Sequence, residues 1–230
     1  MPLKYWNGTA FADPSQCRVW NGSAFVAPQG VYEWSGGQFV KKWPSVTTPT
    51  FVQAVGVAGS NQTPTVNMTT SSGTKLIIGT TSNSYGGLGV TMDGGALTPL
   101  GTVTATRIHQ FFVVDSTAGT HTFVVDGGGS WETMIVAEYS GVSAVGPYTS
   151  KVSSSQIATH TPDGSGTLAV ALVAGVAASS TSPSYLGDVR FRQIGQGSNN
   201  QSIALIDSPT APLGISASGS AMSVGCVWLS

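Results

Sequence analysis

The stretch HQFFVVDSTAGTHTFVVDG, residues 109–127, decides the fold. Two runs of β-branched and aromatic residues, HQFFVVDS (109–116) and HTFVVDG (121–127), stand on either side of a short polar segment that contains Ala118 and Gly119. Such residues fit a pleated, half-buried surface. A glycine between them lets the chain reverse. The pattern predicts a β-hairpin over 115–123 with Ala118 and Gly119 near its tip.

Similar runs fill the rest of the chain: TKLIIGTT (74–81), ETMIVAEYSGV (132–142), TLAVALVAGV (167–176), SYLGDVRFRQIG (184–195), QSIALIDS (201–208) and AMSVGCVWLS (221–230). Gly, Ser, Asn and Pro clusters bound them, and turn signals recur at about 8–12 residues, the spacing of an antiparallel sandwich. Helical periodicity is almost absent, since the Ala-rich segment 169–178 carries repeated Val and has Gly175 in its interior. In DVRFRQI the charged Asp188, Arg190 and Arg192 alternate with Val189 and Phe191, with Ile194 nearby, as in a strand with one wet face. The wholly apolar run 168–173 reads as a central strand. The fold class is all-β.

Composition narrows the function classes. Only 8% of the 230 residues are charged, against about 25% in an average soluble protein. Nine basic and ten acidic residues leave no electrostatic footprint for a nucleic-acid backbone. The opening MPLKYWNG lacks a charged start followed by an apolar run, so no signal peptide is expected and synthesis in the cytoplasm is. The most apolar segment, TLAVALVAGVAAS (167–179), is shorter than the ~18 residues a membrane helix needs, so no membrane insertion is expected. Cys17 and Cys226, without a CxxC spacing, read as unpaired thiols.

The first forty residues say one thing three times: WNGTAF (6–11), WNGSAF (20–25) and WSGGQF (34–39). Trp6, Trp20 and Trp34 are one fourteen-residue period apart, and Phe11, Phe25 and Phe39 follow each by five. A unit this short suits one β-hairpin: a strand ending in Trp, a tight Asn-Gly turn of type I′, and a returning strand ending in Phe. A lone hairpin is marginal in water. The six aromatics are therefore candidate assembly residues, packing on one another, on the body or on other chains, with sugar stacking as the rival role. Asn7, Asn21, Asn61, Asn67 and Asn200 match the N-glycosylation pattern, which a chain rich in Ser and Thr produces by coincidence. KKWPSVTTPT (41–50) marks a boundary, giving a hairpin-repeat attachment segment at 1–47 and a sandwich domain at 48–230.

The tandem Trp-Asn-Gly units resemble those of minor tail proteins of phages infecting actinobacteria, where such segments lie beside β-rich fibre domains. VTMDGGALTPLGTV (90–103), AGTHTFVVD (118–126) and MIVAEYSGV (134–142), in that order, resemble a jelly-roll sandwich of phage tail and bacterial surface proteins. Asp93-Gly94, the Gly119–Val125 run and Glu138–Val142 stand at its motif positions. The resemblance implies a structural virion protein with no catalytic residues to transfer. The implied partners are neighbouring virion proteins, held through the repeats, and host cell-envelope carbohydrate. A homotrimer is expected by analogy with fibres. A capsid decoration or head-fibre protein and a secreted carbohydrate-binding module remain alternatives.

Chemistry is sparse. No G-x-S-x-G elbow, P-loop, dinucleotide fingerprint or H-E-x-x-H pair occurs, and no enzyme activity, cofactor or metal is expected. His109, His121 and His160 are scattered, and His109 and His121, which flank the proposed hairpin, read as polar surface residues. Glu132 and Glu138 share parity on one strand, about 20 Å apart at ~3.3 Å per residue, too far for a glycosidase pair; Glu138 reads as a rim or intersheet residue. For binding, the sequence offers Tyr85 in SNSYGG, Trp131 exposed after a glycine-rich DGGGSW loop, and the amides of Asn199 and Asn200. Aromatic faces beside amides suit neutral sugars; plain turns are the simpler reading.

Overall fold

The computed structural model describes residues 5–6, 9, 11–12, 19–20, 22–26, 31–35, 37–43, 48–59, 63–82, 88–104, 108–126, 131–175, 183–195, 202–217 and 222–230. Among these every regular element is a β-strand, and all strand pairs are antiparallel. The chain divides into two compact units, Met1–Thr47 and Thr48–Ser230.

The first unit holds one hairpin per repeat. Tyr5–Trp6 (β1) pairs with Phe11–Ala12 (β2), Val19–Trp20 (β3) with Phe25–Val26 (β4), and Val31–Ser35 (β5) with Gln38–Trp43 (β6). The repeat's Trp and Phe are direct cross-strand partners every time: Trp6 with Phe11, Trp20 with Phe25, Trp34 with Phe39. Phe therefore stands at the start of the returning strand, first in β2 and β4 and second in β6, instead of ending it. The turn is also displaced from Asn-Gly. The loop between Trp20 and Phe25 centres on Gly22-Ser23, and Gly22 carries the positive φ of 100°. A loop that needs a left-handed residue takes it from glycine without a Cβ clash. The third copy adds the pair Ser35–Gln38 and closes on two residues, with Gly37 at φ 86°.

The second unit begins with Thr50–Gly59 (β7), Thr65–Thr70 (β8), Lys75–Ser82 (β9), Gly89–Met92 (β10), Gly95–Ala96 (β11), Gly101–Thr104 (β12), Ile108–Asp115 (β13), Gly119–Asp126 (β14) and Glu132–Ser140 (β15). It continues with Thr149–Ser153 (β16), Ile157–His160 (β17), Leu168–Gly175 (β18), Ser184–Leu186 (β19), Asp188–Gln193 (β20), Ser202–Ser208 (β21), Leu213–Ser216 (β22) and Met222–Leu229 (β23). These strands form sheets with the orders β11-β10-β14-β8, β12-β13-β9-β15-β7, β16-β23-β18-β21-β20 and β17-β22-β19. The apolar run from Leu168 is the central strand of its sheet, as its composition implied.

Side-chain alternation stacks these sheets. Ile78, Phe112, Phe123, Val125 and Met134 fill the space between the β8–β14 and β9–β15 sheets. Ile77, Phe111 and Ile135, from the opposite faces of the same strands, pack against Leu172, Ile203 and Leu205 of the next sheet. Ala171, Val173, Ile206, Ile215 and Val224 close the last layer. Both faces of β9, β15 and β18 are buried, which explains why their sequences lack a polar stripe. Burying these side chains supplies most of the stabilisation, at ~1.5–3 kcal/mol for each large one.

The structure departs from several of the sequence expectations. β13 and β14 are not a hairpin: β13 pairs with β9 and β12, β14 with β8 and β10. The chain crosses between sheets at 116–118, and Phe112 and Phe123 enter one core from two different sheets instead of lying side by side in one. Segment 184–195 is two strands, broken at Gly187 (φ 123°). Its polar-apolar alternation fails at a bulge between Val189 and Phe191, where Arg190 is the extra residue. The bulge turns Arg190 toward Asp207 and leaves Val189 exposed. Asp93-Gly94 does form a tight turn between Met92 and Gly95, with φ of 52° and 81°.

Candidate functional site

The first candidate surface is the aromatic pair of the third hairpin. Trp34 and Phe39 are cross-strand partners whose rings meet edge to face with centroids 4.9 Å apart. They remain 62% and 71% exposed, and Trp20 is 59% exposed. An edge-to-face pair on a hairpin is a preorganised apolar knob, because each ring restricts the other's rotamers before anything docks. The side chains of Trp6, Phe11 and Phe25, and Cys17, lie outside the described residues.

The second candidate is one end of the sandwich. β7, β9, β12, β14, β18, β20 and β21 are paired so that Gly59, Ser82, Thr104, Asp126, Gly175, Gln193 and Ser202 all lie at that end. Trp131 is here, directly before β15, with a left-handed φ of 62° and half-buried, not exposed as its sequence context suggested. Tyr85, Asn199 and Asn200 fall outside the described residues. Beneath this end lie polar groups that burial leaves unmatched. Thr81 Oγ1 and His109 Nε2, on cross-strand partners, have no hydrogen-bond partner, and neither do Thr80 Oγ1 and Gln110 Oε1 on the opposite face. His109 is buried, contrary to its reading as a surface residue, and its Nδ1 lies 3.3 Å from Ser223 Oγ. Burial pushes its pKa down to about 4, so the ring is neutral.

The opposite end carries a buried carboxylate. Glu138 is fully buried, and its carboxylate accepts from Gln53 Nε2 (2.7 Å), the Ser71 amide (2.8 Å) and Thr74 Oγ1 (2.8 Å). Burial alone would raise its pKa, but these three donors outweigh that and hold it below the usual carboxylate range. The group is a structural anchor that ties the 71–74 turn to β15. Lys75 pairs with Asp115 nearby.

His121, also buried, sits between two acceptors. Its Nδ1 donates to Asp93 Oδ2 at 2.6 Å and its Nε2 to the Thr117 carbonyl at 3.1 Å, while the Thr122 amide donates to Asp93 Oδ1 at 2.8 Å. The hydrogen bond to Asp93, then that to the Thr117 carbonyl, raises the His121 pKa; the hydrogen bond received from His121 lowers that of Asp93. An Asp-His-Thr series suggests a nucleophile triad, but here Nε2 turns to the Thr117 carbonyl at 3.1 Å and stands farther, at 3.4 Å, from the Thr117 hydroxyl. A ring with no lone pair toward the hydroxyl cannot act as a base. The cluster is a clasp that fastens the Asp93-Gly94 turn to the chain crossing at 116–118.

The buried Tyr139 and Asp207 form a further cluster with the partly exposed Arg190, and nothing in the local sequence around them marks it. Among the described residues no three His, Cys, Asp or Glu side chains gather as a metal site. No family model, curated protein or solved structure matches the chain.

Proposed function

We propose that the chain is a structural bacteriophage virion protein, a minor tail protein whose Trp-Phe hairpins attach it to neighbouring virion proteins and whose sandwich is displayed on the particle. The observation that carries this reading is the register of the repeats: each places its Trp opposite its Phe on a short hairpin, and the described members of those pairs stand exposed. Hairpins of two to six residues per strand bury too little apolar surface to be stable singly. A partner surface that covers the rings supplies what they lack, and three copies with the same Trp-Phe pairing provide three grips.

The strand orders β7-β15-β9-β13 and β8-β14-β10-β11 support a jelly-roll assignment, because that fold interleaves its first and last strands in two four-stranded sheets. Low charge and layered cores suit a particle surface. Other virion proteins are the primary partners, with a homotrimer as the assembly state and host-envelope carbohydrate as a ligand for the loop-bearing end.

Electron microscopy of particles decorated with antibody to the 48–230 unit tests the proposal. Label on the tail supports it. Label confined to the head reassigns the protein to capsid decoration, and unlabelled particles with free protein in the lysate refute a virion role.

A further inference from the structure

We infer that the second unit is a fused pseudodimer: two copies of one sandwich module docked face to face about a pseudo-two-fold axis, with a contact face in which glycine sockets on the first copy receive large side chains of the second. The strand pairing carries this. Setting β11 aside, β7, β8, β9, β10, β12, β13, β14 and β15 correspond in order to β16 through β23. Every pairing among the first eight then recurs among the second. β7·β15, β15·β9, β9·β13 and β13·β12 become β16·β23, β23·β18, β18·β21 and β21·β20; β8·β14 and β14·β10 become β17·β22 and β22·β19.

Register makes the correspondence residue by residue. Lys75–Ser82 and Leu168–Gly175 are equal in length, and their first residues pair with Tyr139 and Leu229 near the ends of β15 and β23. On this alignment Gly79 is equivalent to Leu172. Their ladder partners Phe111 and Leu205 are equivalent, and so are Gly101 and Phe191 one strand further out.

The contacts of β20 with the first half recur as those of β12 with the second, while β21 packs more extensively on β9 and β15 than β13 does on β18 and β23. β7 touches β20, and its image β16 touches β12; β15 touches β20, and β23 touches β12. Tyr139 of β15 reaches Asp207 of β21, while β23 and β13, the images of those strands, are joined by Ser223 and His109. The first contact lies at the Lys75 and Leu168 ends of the central strands and the second at their Ser82 and Gly175 ends, so β9 and β18 run the same way. The axis therefore lies along the strands. At such an axis a residue meets its own equivalent, and a Cβ built on Gly79 would overlap Leu172, its equivalent.

The sockets explain why two copies would stay paired as unlike halves. Gly79 lies under Leu172, Gly56 under Phe191 and Gly101 under Tyr148. In each case the first half supplies the glycine and the second the large side chain. Two first halves would leave a void at Gly79, and two second halves would bring Leu172 onto Leu172. Close packing penalises both, so each face selects the other. The contact is satisfied within one chain, which leaves the outer sheets and the hairpins free for other partners.

Exchange of the axial residues in the full-length chain tests this. Gly79→Leu alone should lower the thermal midpoint by about 5–10 °C through overpacking, and Leu172→Gly by a similar or larger amount through a cavity. With two-fold equivalence, Leu at 79 points into the space vacated at 172, and the double variant should recover at least half of the summed loss. Shifts that simply add would overturn the inference. Should Gly79→Leu prevent folding, Gly79→Ala with Leu172→Val gives the same readout: recovery in the pair supports the axis, additivity refutes it.

Discussion

The Tyr139 hydroxyl donates to Asp207 Oδ2 across 3.0 Å, joining two sheets through a hydrogen bond buried from solvent. Asp207 also accepts from Arg190 Nε, 2.9 Å from both carboxylate oxygens. The guanidinium carbon lies 5.7 Å from the Phe51 ring centroid, and Phe51 meets Tyr139 edge to face. Burial, then the Asp207 charge, drives the Tyr139 pKa upward, so the phenol is the donor at any ordinary pH. Four strands, β7, β15, β20 and β21, are thus held by one cluster with every charge matched.

Removing members of that cluster should have unequal effects. Tyr139→Phe deletes one donor while Arg190 still serves Asp207, a loss of about 1–2 kcal/mol. Asp207→Ala removes the partner of the phenol and the nearer partner of Arg190, which keeps only Asp188 at 3.7 Å. Arg190 is 35% exposed and recovers some hydration, so the loss should sit near the lower limit for a broken buried pair, about 3 kcal/mol. Urea denaturation of both variants checks the order; equal losses would mean that Arg190 contributes nothing.

His109 should govern the acid side of the stability profile. Its folded pKa, about 4, lies below the ordinary 6.5, so the unfolded chain binds the extra proton between those values. Stability is then full above pH 6.5 and falls as pH drops toward 4, by roughly 3 kcal/mol for such a shift. His109→Leu should flatten this slope. Denaturant midpoints at pH 4.5 and 7 for both proteins measure it.

The clasp of His121 and Asp93 acts in the other direction. The raised His121 pKa means that its contribution is complete below 6.5 and lost as pH rises through the folded value; the lowered Asp93 pKa means that its contribution is complete above 3.8 and lost as pH falls through the folded one. The pair stabilises most between those two ordinary values. Asp93→Asn keeps a side chain that tolerates the φ of 52° but removes the charge. The His121 titration, followed by NMR, should move down toward 6.5 in that variant; an unchanged titration would show that the carboxylate does not hold the proton.

What was legible in the sequence depended on which constraint a residue obeys. The Trp-Phe spacing of five translated directly into paired register, because a hairpin's geometry is local. The central strand from Leu168 was legible because two buried faces leave no polar stripe. The crossing at 116–118 was not, since Gly119 at φ 139° reports only that the chain turns. Whether the next strand lies beside or across from the last is decided by Phe112 and Phe123, which share a core. The duplication left even less trace: LIIGTT and AVALVA occupy equivalent positions without one identity, since burial on two faces constrains volume and not letters. The burial of His109 likewise depends on Ser223, more than a hundred residues away.

Cys226 should be protected from alkylation in the native protein. It is a free, buried thiol within 3.7 Å of Thr149 Oγ1, and burial pushes its pKa up to about 11. The thiolate is the reactive form, so both access and ionisation oppose modification. Iodoacetamide at pH 8 followed by peptide mass mapping should leave the Cys226 peptide unmodified until denaturant is added. Rapid labelling of the native protein would show that the strand from Met222 opens readily.

The hairpin pair should separate assembly from stability. Trp34 and Phe39 lie in the Met1–Thr47 unit and are mostly exposed, so Trp34→Ala and Phe39→Ala remove little buried area from the folded chain. Each should shift the unfolding of the 48–230 unit by no more than ~0.5 kcal/mol, the range of ordinary surface changes. Covered by a partner, the same rings become central apolar anchors whose truncation costs about 2 kcal/mol or more, roughly a thirtyfold loss of affinity per site. Three copies multiply the effect through avidity, so combining Trp20→Ala with Trp34→Ala should reduce incorporation into particles far more than either alone. Quantitative immunoblots of purified particles from complemented infections measure it. Normal incorporation of the double variant would place the attachment surface elsewhere on the chain.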